Sequence, residues 1–142
     1  MHSQNKETLK KIAEISEEIF SNSPVLFAYI YGSVAAGQTH PFSDLDIGVF
    51  VESISSKEGL ELELDLGLKI DRKLQGGPSS DVRIMNFLPI LITGKIVSEG
   101  LLIYCRNDKK RIAYETAIRT SYFDFLPFIR QYQKAYLKQV YA

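Results

Sequence analysis

Two short strand-like stretches, joined through a glycine-serine turn and a loop that ends in paired acids, constrain this chain more than anything else in it. Pro24-Val25-Leu26-Phe27-Ala28-Tyr29-Ile30-Tyr31 is an apolar and aromatic run that stops at Gly32-Ser33, the pattern of a buried strand feeding a tight turn. After Ser33 and a gap of ten residues comes Asp44-Leu45-Asp46. From there Leu45, Ile47, Val49 and Val51 alternate with Asp44, Asp46, Gly48 and Phe50, which is a strand period. Between the two, Gly37-Gln38-Thr39-His40-Pro41-Phe42-Ser43 has the glycine, proline and small polar residues of a loop.

The residue types at these positions point to phosphate and metal chemistry. Val34-Ala35-Ala36 are expected to open a helical turn, so that the amides of Gly32, Ser33 and Val34 aim at one spot and attract an anion. Asp44 and Asp46 share a strand face about 6.6 Å apart along the axis, so both carboxylates can reach one ion or bridge two. A hard cation such as magnesium takes oxygen ligands, commonly one or two carboxylates plus substrate phosphates. Transfer to a nucleotide by two ions about 3.5 to 4 Å apart needs a further acid. The best candidate is Asp81, opening Asp81-Val82-Arg83-Ile84-Met85 after the turn-rich Gly76-Gly77-Pro78-Ser79-Ser80. Asp65 and Asp71 lie in a leucine- and glutamate-rich segment whose acids are expected to face water. His40 is expected in solvent, since no second histidine or serine-base arrangement accompanies it.

Taken singly, these features have plainer explanations. A Gly-Ser pair at a strand end is usually a turn and nothing more, and an aspartate opening a strand is as readily an end residue. The combination at this spacing carries the argument.

Gly32-Ser33, the ten-residue gap, Ser43-Asp44-Leu45-Asp46-Ile47 and the later Asp81 resemble the DNA polymerase β-type nucleotidyltransferase superfamily. More narrowly, they are similar to its minimal members, the MNT antitoxins of HEPN/MNT toxin-antitoxin pairs. The Asn86 to Pro89 turn, the Leu101-Leu102-Ile103-Tyr104 strand and the stretch from Tyr122 to Pro127 with its following helix extend that resemblance over nearly the whole chain. It implies an α/β fold of the α+β kind, a mixed sheet of about four strands with helices packed on it. It also implies Asp44, Asp46 and Asp81 as catalytic acids and ligands of two Mg2+ ions, with Gly32, Ser33 and Ser43 holding the nucleotide. The implied reaction is transfer of AMP from ATP to a tyrosine of a partner HEPN ribonuclease toxin, which silences it. Two other readings remain: transfer to a small molecule of the aminoglycoside kind, and a toxin-binding module without catalysis.

Composition sets the surroundings. With 142 residues, 45% hydrophobic and 24% charged, the chain suits one globular domain over 1–142 with a real core. One cysteine, Cys105, allows no internal disulfide and no cysteine-rich zinc site, which favours a reducing cytosol. The start lacks an apolar signal core and no run approaches about eighteen apolar residues, so a cytoplasmic protein without membrane insertion is expected. Seventeen basic residues balance seventeen acidic ones, against a dedicated nucleic-acid binder. Their distribution is uneven: residues 101–142 carry eight Lys/Arg against three Asp/Glu, or +5, leaving nine against fourteen, or −5, in 1–100.

Elsewhere, the apolar stripe of Leu9, Ile12, Ile15, Ile19 and Phe20 predicts an opening helix over Thr8 to Phe20. Residues 60–70 are two-sided. Their leucines alternate as in a strand, yet leucine and glutamate prefer helix, and the resemblance favours helix. Strands are expected near 81–85 and 101–105, with a helix from Pro89 to Val97 between them. From about Lys109 a long helix carries Ile118, Tyr122, Phe125, Ile129, Tyr132, Tyr136 and Val140 on one stripe, kinked or interrupted near Pro127. Such a stripe is normally core; the alternative is a partner surface in an oligomer of like or unlike chains.

Overall fold

The computed structural model describes residues 2–37 and 44–141. Along the chain run α1 (His2–Ser21), β1 (Val25–Tyr31), the single turn α2 (Gly32–Ala35), β2 (Leu45–Val51), α3 (Ser56–Lys73), β3 (Ser80–Ile84), a 3-10 turn (Met85–Phe87), α4 (Ile90–Glu99), β4 (Leu101–Cys105) and α5 (Asp108–Tyr141). The four strands make one mixed sheet in the order β3-β2-β1-β4, with β1 antiparallel to β2 and β4 and β2 parallel to β3. Among the described residues no helix is long and apolar enough to cross a membrane.

The parallel pair explains why residues 60–70 become helix. Parallel neighbours cannot be joined by a hairpin and need a crossover of a dozen residues or more; the 18 residues of α3 supply it. Ser55 caps the start of the helix: its Oγ accepts the Glu58 N–H at 3.2 Å and donates to Glu58 Oε1 at 2.8 Å. In a strand all six alternating side chains of 60–70 would share a face. The helix splits them, turning Leu66 and Ile70 into the core and leaving Leu60, Leu64 and Leu68 exposed.

Alternation along the strands divides the core between the two sheet faces. On one face Ala28, Ile30, Ile47, Val49 and Val82 pack against Ile12 and Phe20 of α1 and Leu66 and Ile70 of α3. On the other, Phe27, Tyr29 and Met85 pack against Ile96 of α4, with Phe50, Tyr114 and Ile118 alongside. Phe27 stacks on Phe50 with centroids 4.7 Å apart, and the Tyr114 ring lies 4.7 Å from Phe50. The Tyr29 hydroxyl donates to Glu115 Oε1 at 2.6 Å, and Arg111 holds the same carboxylate. These contacts pin the first third of α5 to the sheet.

The rest of α5 departs from the core expectation for its stripe. Ile118 packs on the second core, and Gly94 of α4 lets the Tyr122 ring approach so closely that a Cβ there would collide with it. Beyond that point Phe125, Tyr132, Tyr136 and Val140 are exposed, Tyr132 by 75%. The reason is length: α5 has 34 residues and spans about 50 Å, far past the ten-residue α4 it crosses. Pro127 does not interrupt the helix, which continues on both sides of it.

Candidate active site

The turn after β1 has the expected form. Gly32 adopts φ 75°, a left-handed conformation that costs glycine nothing. The Ala36 N–H donates to Gly32 O at 3.1 Å, and the amides of Ser33 and Val34 precede that first intrahelical bond. Val34 is buried and roots the turn in the core, while Ser33 is half-buried.

Strand register then brings the acids together. Asp46 on β2 sits opposite Tyr31, the last residue of β1, and opposite Asp81, the second residue of β3. Neighbouring strands lie about 4.8 Å apart, so Asp46 and Asp81 are adjacent. A Cβ on Gly32 would run into Asp46 Oδ2, and its nearest approach to Cγ is 3.4 Å. The turn backbone and the carboxylate are therefore in contact. Asp44, exposed, stands just ahead of β2, where the Leu45 N–H donates to Ser79 O at 2.8 Å. Ser43 and His40 lie outside the described residues.

The acids act on one another. Burial, then the charges of Asp81 and Asp44, raise the Asp46 carboxyl above the usual aspartate range, with Arg83 pulling the other way. Burial and then Asp46 raise the Tyr31 hydroxyl in the same manner. Like charges held together this way favour a cation, and carboxylate oxygens beside turn amides suit a hard divalent ion with a phosphate ligand. As the side chains lie, no three acidic, histidine or cysteine groups among the described residues converge on one ion. Asp81 is engaged by Arg83, Nε to Oδ2 3.3 Å.

The acids of α3 have structural work instead. Asp71, which is exposed, accepts the Ser80 N–H at 2.8 Å, and Glu63 accepts the Ile84 N–H at 3.2 Å. Both cap the open edge of β3 and so steady the strand that carries Asp81. Asp65 pairs with Lys69. Sequence reasoning passed over Tyr31 and Arg83. The signal for Arg83 was available: two positions after Asp81 on a strand means the same face.

Residues 10–109 match the family described as Polymerase beta, Nucleotidyltransferase. The chain belongs to that family. All five described candidates of this nucleotidyltransferase, Gly32, Ser33, Asp44, Asp46 and Asp81, fall within the matched stretch. Its fold is similar to that of a toxin-antitoxin solved with AMP-PNP, at TM-score 0.62 and 16% identity over 94% of this chain and 98% of that one. It is likewise similar to a complex of tri-AMPylated Shewanella oneidensis HEPN toxin with MNT antitoxin, at 0.61 and 12% over 94% and 99%. The toxin-antitoxin MntA-HepT gives 0.58 and 14% over 93% and 97%. A comparison with curated proteins finds no match.

Proposed function

We propose that this nucleotidyltransferase is a cytoplasmic antitoxin that transfers AMP from ATP to a tyrosine hydroxyl of a partner HEPN ribonuclease. The observation that carries the reading is the contact of the Gly32 turn with the Asp46 carboxylate, beside Asp81 in register. Solved neighbours of the same fold that hold AMP-PNP or an AMPylated HEPN toxin support the choice of nucleotide and acceptor.

In this reading the first-turn amides and Ser33, with Ser43, hold the triphosphate. Asp44 and Asp46 would hold two magnesium ions, with Asp81 completing the set on the acceptor side. Bound there, the ions would activate the attacking oxygen and neutralise the leaving pyrophosphate. The acceptor oxygen attacks the α-phosphorus, a new O–P bond forms, and the bond to the bridging oxygen breaks as pyrophosphate departs. Asp81 takes the hydroxyl proton and passes it to water. The uncovered stripe of Phe125, Tyr132, Tyr136 and Val140 on α5 offers the partner an aromatic surface of the kind interfaces favour.

Mass spectrometry of the partner after incubation with ATP and magnesium tests this. Addition of AMP is expected with the wild-type chain and none with Asp46→Asn. An unmodified partner that stays bound to the wild type would overturn the catalytic reading in favour of binding alone.

A further inference from the structure

Asp44, Asp46 and Asp81 crowd the candidate site, Glu63 also acts on Tyr31, and Arg83 works against them. Arg83 is the cation that opposes the acids at both Asp46 and Tyr31. It follows Asp81 by two positions on β3, so both side chains stand on the sheet face that carries Asp46. Its Nε reaches Asp81 Oδ2 at 3.3 Å, and the two side chains are 50% and 42% exposed. An ion pair this open to water is weakly held. The two terminal nitrogens of Arg83 make no hydrogen bond with a described residue.

The strand order places this arginine opposite the phosphate-holding turn. In β3-β2-β1, Asp46 lies on the central strand of the three, with the Gly32 turn on its β1 side and Arg83 on its β3 side. A triphosphate laid across Asp46 from the turn therefore runs toward Arg83. The planar fork of an arginine matches two phosphate oxygens at once, which a carboxylate partner engaged only through Nε leaves unused.

We propose that Arg83 is a nucleotide-binding residue with two stations: it pairs with Asp81 in the nucleotide-free site and passes to the triphosphate when a divalent cation takes Asp81. The inference rests on the nucleotidyltransferase reading above. It makes the arginine a competitor of the cation and an ally of the nucleotide, so its removal shifts the two affinities in opposite directions. An arginine that merely props up β3 would, on removal, weaken both together.

The test uses the full chain. Mn2+ binding without nucleotide is followed by electron paramagnetic resonance, and AMP-PNP binding at saturating Mg2+ by calorimetry. Arg83→Ala is expected to bind Mn2+ several-fold more tightly, and AMP-PNP roughly tenfold more weakly because a charge-assisted contact is lost. Arg83→Lys, which keeps the charge and loses the fork, should fall between wild type and Arg83→Ala for AMP-PNP. Unchanged AMP-PNP affinity in Arg83→Ala, or a joint loss of both ligands, would overturn the role of Arg83 and leave the nucleotidyltransferase reading standing. A wild-type chain that binds neither Mn2+ nor AMP-PNP would overturn both.

Discussion

The two ends of the β1–β2 pair, on the face covered by α4 and α5, are built to opposite rules. At one end the rings of Phe27, Phe50 and Tyr114 cluster with centroids within 5.4 Å of one another, and Glu115 and Arg111 tie α5 to Tyr29. At the other, Asp44, Asp46 and Asp81 crowd like charges beside a left-handed glycine. The apolar end gains from every neighbour, whereas the acidic end gathers groups that repel. A fold tolerates such a corner only because the remainder of the sheet holds it in place, and the corner is where we propose the chemistry resides.

The largest expected effect separates the two ends by activity. Asp46→Asn should lower AMP transfer by roughly four orders of magnitude or more, since it removes the proposed shared metal ligand. Because burial and its neighbours disfavour the charged form of Asp46, the same substitution should raise the melting temperature at neutral pH. A variant that loses activity and stability together would break the contrast. Next comes the apolar end: Phe27→Ala should cost about 3 to 5 kcal/mol in denaturant unfolding, as expected for emptying a fully buried aromatic site. Gly32→Ala should cost about 1 to 3 kcal/mol for the backbone conformation alone, and it should also reduce transfer by displacing Asp46. Transfer assays on the folded variant separate the two losses.

The smallest effect concerns pH. Burial pushes the Tyr114 hydroxyl up to about 12, and its oxygen has no hydrogen-bond partner among the described residues. The folded chain thus keeps a proton that the unfolded chain releases near pH 10. Its contribution to stability is whole below that point and is lost as pH climbs toward 12. Tyr114→Phe should therefore flatten the fall in melting temperature between pH 9.5 and 11.5, and at neutral pH it should be neutral or slightly stabilising. An unchanged alkaline profile would shift the sensitivity to Tyr29, whose hydroxyl burial also raises.

What could be read ahead of the structure follows from how local each signal is. The strand, glycine turn and acidic strand at 25–51 write their geometry into consecutive residues, and so does the position of Asp81 at a strand start. Neither needs a distant partner to be recognised. Residues 60–70 were two-sided because a spacing of two and a spacing of four coincide at every second leucine; only the crossover between β2 and β3 decides. The stripe on α5 has helical spacing throughout, yet how far the body reaches along it is a property of the whole fold. Arg106 is the extreme case. Its guanidinium donates to the carbonyls of Phe20, Ser21 and Ser23 at 2.9 Å, closing the end of α1 from more than eighty positions away. No periodicity announces such a contact.

The parallel pairing of β2 with β3 carries one last implication. Because Asp46 and Asp81 are register partners, the gap between them is set by the ladder of the sheet and owes nothing to the connections at either end. Changes of length at the exposed residues 75–77, outside that ladder, should leave the gauge unchanged. The rim of the site is thereby free to diversify toward new acceptors while the spacing of its acids stays constant.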